Sequence, residues 1–184
     1  MKTQEALDQI AYLQRLIAQT RLRAADGYPF FLLWGLLWIV GYVGSIWWSH
    51  RVWVGVSLVG AVISVMIGWK KKQEQPVPPL LKKIGWLMLV MFVYIVFLFS
   101  QMLLLTDSVQ IINSFWPFHI GLLYILAGIF EGRSMLMIGC WLMVAAVAGL
   151  WLPFPWQELW LAAGGGGGLI LTGALLRKQV INDA

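Results

Sequence analysis

The chain has 184 residues, of which 60% are hydrophobic, 14% aromatic and only 11% charged, with a net charge of +5. A soluble domain carries about 25% charged and 45–50% apolar residues, so this composition cannot coat a water-soluble sphere and excludes a soluble globular enzyme. Apolar runs of roughly 18 residues or more without a charge point instead to an all-α integral membrane protein.

Residues 1–26 are polar and mixed in charge, without the short apolar core and small-residue cleavage site of a secretory signal. Within them Thr3 to Ala24 reads as one amphipathic helix: Ala6, Ile10, Leu13, Ile17 and Ala24 recur at three- and four-residue spacing. Glu5 and Asp8 stand near its start and Arg15, Arg21 and Arg23 near its end, complementing the helix dipole. Its apolar stripe needs a surface, and three fit: the cytoplasmic leaflet, a second copy of the chain, or a different cytoplasmic protein. Arg21 and Arg23 are expected to meet lipid headgroups.

Residues 27–69 hold two apolar segments, Phe30 to Trp48 and Val52 to Trp69; residues 84–176 hold four more, Ile84 to Leu105, Ser114 to Phe130, Ser134 to Trp151 and Leu159 to Leu176. At about 1.5 Å per residue each reaches roughly 25–33 Å, and without water only helices satisfy the backbone at that depth. A β-barrel would need polar residues at alternate positions, and these are absent. The expectation is six transmembrane helices. Between the second and third, residues 70–83 form a basic stretch in which Lys70, Lys71, Lys72, Lys82 and Lys83 surround Pro76, Pro78 and Pro79, which predicts a stiff extended linker against lipid headgroups. A basic run beside the membrane is no argument for nucleic acid. Residues 177–184 are a polar tail.

Six spans put both termini on one side. Lys2, Arg15, Arg21, Arg23, Lys70, Lys71, Lys72, Lys82, Lys83, Arg133, Arg177 and Lys178 then share that side and Arg51 alone takes the other, a positive-inside pattern that places both termini in the cytoplasm of a cell with an inner membrane. Trp47, Trp48, Trp53, Trp116, Trp151, Trp156 and Trp160 fall at the outer ends, as headgroup-level anchors should. The stretch Leu152 to Glu158, with Pro153 and Pro155, is expected to lie flat at the outer surface. Two halves of three spans would have opposite orientation, and Gly35 to Val40 is similar to Gly121 to Leu126, the pattern of an inverted repeat.

Small residues mark helix contacts, because backbones must approach closely where burial from lipid gains little. Gly60, Ser64 and Gly68 share a face of the second span, Gly121, Gly128 and Gly132 one of the fourth, and the sixth holds the run Gly164 to Gly168. Gly164, Gly165 and Gly168 are expected at a helix seam; the competing reading is a broken helix whose carbonyls line a cavity. The run is no phosphate loop, lacking the Lys and Ser/Thr that follow one.

Few polar groups lie at membrane depth. His119 is the clear ionisable one, and the topology puts Tyr42, Ser45 and Gln101 at a similar level, with Tyr94 sharing a helical face with Gln101. These predict an outward-facing polar cavity lined by Tyr42, Ser45, Tyr94, Gln101 and His119. His119 stands nearly opposite Gly121 on the helical wheel, so the two cannot share one seam. Cys140 has no partner within the chain, nothing brings His50 and His119 to ligand distance, and no paired carboxylate or nucleophile–base motif is present. No metal, cofactor or catalytic set is expected. The functional expectation is a small transport-related membrane protein, oligomeric, binding or passing a solute or ion through that cavity; the alternative is an accessory protein that engages a cytoplasmic partner.

Overall fold

A computed structural model describes residues 7–12, 25–74, 79–106 and 108–182. Every regular element among them is helical. Residues 7–12 are helical; the rest of the expected N-terminal helix, with Arg21 and Arg23, lies outside the described residues.

The first long helix, α1 (Tyr28–Trp48), opens just after Gly27 with a proline in its first turn, where the missing N–H would be unpaired anyway. It ends at Ser49, whose φ of 85° reverses the chain into α2 (Val52–Glu74). Next come α3 (Pro79–Leu105), α4 (Val109–Glu131) and α5 (Arg133–Gly149). The last rod is α6 (Trp156–Leu161), a wider π-helical stretch (Ala162–Gly166) and α7 (Gly167–Asn182) in unbroken succession.

Five of these helical segments are long and apolar enough to cross a membrane: Tyr28–Trp48, Val52–Lys71, Gly85–Met102, Val109–Ile129 and Trp156–Lys178. The remaining apolar helix, α5, is shorter at 17 residues. Exposed Trp47, Trp48, Trp151 and Trp156 crowd one end of the bundle, and Lys70, Arg133, Arg177 and Lys178 are exposed at the other.

The basic stretch corrects the expectation of an extended linker. Lys70, Lys71 and Lys72 continue α2, and Lys82 and Lys83 lie in the opening turns of α3. Pro79 is tolerated there because a first turn has no use for its N–H. Pro76 and Pro78 lie outside the described residues. Lys70, Lys82 and Lys83 are exposed, but Lys71 donates from Nζ to the Asp26 carbonyl and sits 5.8 Å from the centre of the Tyr28 ring, so it ties α2 to the start of α1.

Close backbone approach organises the interior. A Cβ on Gly166 would stand 2.7 Å from the Gly35 carbonyl oxygen, and one on Gly35 would stand 2.8 Å from that of Gly166, so α1 crosses the π stretch where both lack side chains. Gly121 and Gly139 do the same for α4 and α5, a Cβ on either falling within 2.7 Å of the other's carbonyl oxygen. That hairpin turns at Gly132, whose φ of 118° with an extended ψ is open to glycine alone. The seam expected of Gly121 is therefore occupied by α5. Around these crossings Phe31, Trp38, Ile138, Leu142, Leu161 and Leu169 form the buried core. By contrast α2 and α3 expose most of their surface, and α3 packs chiefly along α4.

Of the other expected packing positions, Gly60 receives Leu37 and Trp34 of α1, and Ser64 accepts a hydrogen bond from Trp34 Nε1 at 3.1 Å. Gly68 meets nothing: a Cβ there would enter open space. Gly165 lies against the Trp38 ring, Gly168 against Trp141, and Gly164 makes only ordinary contact with Ala145.

Candidate functional site

The residues expected to line one cavity are not gathered into one. Tyr42 is buried, and its hydroxyl donates to the Asn113 carbonyl at 3.0 Å. Ser45 is buried and donates to the Gly41 carbonyl of its own helix at 2.8 Å. His119 Nδ1 lies 2.8 Å from the Phe115 carbonyl one turn back, with its ring stacked on that of Phe115, so its own helix serves that nitrogen. Tyr94 and Gln101 are exposed on α3, facing away from Tyr42 and His119. The reason is the face by which α3 packs: Ile95 is buried and Phe99 meets Phe115 and Trp116 of α4, which turns the Tyr94–Gln101 stripe outward. One open groove, of about 390 Å³, is apolar and lined by Phe118, Met143, Val144, Val147, Ala148 and Trp151.

The polar concentration lies elsewhere, where α6 enters the bundle at the tryptophan end. Gln157 and Glu158, expected in a surface turn, are 1% and 0% exposed. The turn itself is short, with a cis Phe154–Pro155 bond, and helix resumes at Trp156. Trp156 stays outside while the next two side chains point inward.

Three elements build the cluster. Asn113 Nδ2 donates to Glu158 Oε1 at 2.9 Å and, at 3.4 Å, to Gln157 Oε1. Gln157 Nε2 donates to the Gln110 carbonyl at 2.8 Å and to Ser114 Oγ at 3.1 Å. Tyr42 closes it from α1 through the Asn113 carbonyl. That carbonyl is free because Pro117, four residues on, has no N–H to offer it. The proline thus creates an acceptor inside α4, and α1 supplies the donor.

This pairing predicts a coupling. Tyr42→Phe should cost about 1 kcal/mol of stability, the worth of one buried hydrogen bond. Pro117→Ala restores a helical N–H to Asn113 and should shrink that cost, as read by unfolding the detergent-solubilised protein with SDS. An equal cost in both backgrounds would show that the hydroxyl's contribution does not depend on the carbonyl that Pro117 frees.

One atom of the cluster stands out. Glu158 Oε2 is buried without a hydrogen-bond partner, and no basic side chain among the described residues pairs with this carboxyl. Among the described residues no group of three or more His, Cys, Asp or Glu side chains gathers, here or elsewhere. The signal for this site was present in the sequence as polar residues just outside apolar runs: Asn113 before one, Gln157 and Glu158 before another. No family model matches this chain, and neither a curated protein nor a solved structure does.

Proposed function

We propose that this chain is a small multi-pass protein of the cytoplasmic membrane that binds a small cation, or a solute carrying one, at Glu158, as the binding step of a transport-related role. The observation that carries the reading is the Oε2 of Glu158, enclosed and unpartnered. A buried carboxyl group with an unmatched oxygen is destabilising by several kcal/mol when charged, and a cation is the partner that removes that penalty. The other side-chain acceptors of the cluster, Gln157 Oε1 and Ser114 Oγ, are also oxygens, the donor type of such an ion rather than of a thiophilic metal.

In this reading α5, though short, crosses as well, and its 17 residues reach about 25 Å. Six crossings then put both termini and the lysines of α2 and α3 in the cytoplasm and the Glu158 cluster in the outer half, near the tryptophan anchors.

Thermal unfolding of the detergent-purified chain in the chlorides of sodium, potassium, magnesium and calcium, at constant ionic strength, tests this. One cation should raise the midpoint saturably in the wild type and leave Glu158→Gln unmoved. No response to any of them, or the same response in Glu158→Gln, would remove the cation site and favour an accessory role.

A further inference from the structure

The outward stripe of α3 carries a second, independent message. Leu87, Val90, Tyr94, Phe97, Gln101 and Leu104 are all exposed, on the side of the helix opposite Ile95 and Phe99. Their spacing alternates three and four, the heptad pattern by which one helix packs along another. Lipid alone would cover the apolar members of such a stripe. It cannot serve Tyr94. Tyr94 sits halfway along the apolar window Gly85–Met102, so its hydroxyl lies near the membrane centre, and it is 53% exposed. Neither that hydroxyl nor the Gln101 amide meets a hydrogen-bonding partner among the described residues. Hydrocarbon offers neither a donor nor an acceptor. The similarly bare face of α2, with Val54, Leu58, Val62 and Val65, carries only Ser57, a residue whose hydroxyl can reach a carbonyl of its own helix as those of Ser45 and Thr172 do, and lipid suffices there.

We propose that this face of α3 is the seam of a homodimer whose two-fold axis runs along the membrane normal. Copies inserted with the same topology bring their α3 helices together in parallel, so each position on the stripe meets its own counterpart. A tyrosine hydroxyl and a glutamine amide each both donate and accept, which makes Tyr94 against Tyr94 and Gln101 against Gln101 self-complementary pairs. A different membrane protein would have to present matching groups at the same seven-residue interval. A second copy does so automatically, and that decides the occupant.

Cysteine scanning in membranes tests the seam, using the full chain with Cys140→Ser as background. Val90→Cys, Phe97→Cys and Leu104→Cys should cross-link on oxidation into a band of twice the monomer mass. Leu89→Cys and Val96→Cys, exposed on the flank of the same helix, should do so several-fold less. In detergent, Tyr94→Phe and Gln101→Leu should each raise the dimer dissociation constant about three- to tenfold, the range expected of one interhelical hydrogen bond in a membrane protein. Seam cysteines that cross-link no better than flank cysteines would overturn the proposal. So would capture of a band of another mass, or an unchanged dissociation constant in both polar variants.

Discussion

Gly166→Ala should destabilise the protein by about 1–3 kcal/mol, while Gly167→Ala, one residue on, should be neutral or stabilise it by up to about 1 kcal/mol. The opposite signs follow from what the two positions face. A Cβ on Gly166 would stand 2.6 Å from Ile39 Cγ1 and 2.7 Å from the Gly35 carbonyl oxygen. The second obstacle is backbone and cannot swing aside, so α1 and the π stretch would have to separate. A Cβ on Gly167 meets nothing within 4 Å, and alanine there simply gains the helix propensity that glycine lacks. Unfolding in mixed detergent and SDS measures both. Two neutral substitutions would mean that the glycine run lines open space, as a broken transporter helix does. The π stretch agrees with the packed reading: its Gly164 carbonyl, which already accepts from the Gly167 N–H, also accepts from Trp141 Nε1 at 2.8 Å.

Hydropathy made the helices legible and their inward faces much less so. The expected segment Ser114 to Phe130 became Val109–Glu131, and Leu159 to Leu176 became a rod starting at Trp156. Both errors have one cause. An apolar window stops where polar residues begin, so it leaves Asn113, Gln157 and Glu158 in loops, although these polar side chains meet one another. Hydrogen bonding between segments more than 40 residues apart leaves no periodic trace in either one. Tyr94 and Gln101 illustrate the converse: their shared face was readable from a spacing of seven, but its direction depended on Ile95 and Phe99 packing on α4. His119 was singled out because it is ionisable, yet a carbonyl one turn back serves its ring, an arrangement that helix geometry always offers and that composition cannot reveal.

The Glu158 cluster should reveal itself most clearly in a double-mutant cycle with Asn113. Asn113→Leu keeps the side-chain volume but leaves Glu158 with neither oxygen hydrogen-bonded and Gln157 Oε1 without its donor, so a loss of about 3 kcal/mol is expected. Glu158→Leu removes the acceptor instead. The Asn113 amide then keeps only its long contact to Gln157, and a smaller loss of about 1–2 kcal/mol should follow. When both are leucine no buried carboxyl remains to be served, and the double variant should be more stable than the sum of the single losses predicts by about 1–3 kcal/mol. Additivity within about 0.5 kcal/mol would show that the two side chains do not depend on each other. Stability and ligand binding then separate cleanly. The double variant should fold, because it buries no carboxyl, yet respond to no cation, because the oxygen that would hold one is gone. A cation response retained in the folded double variant would place any binding site away from Glu158 while leaving the hydrogen-bonded cluster intact as a structural element.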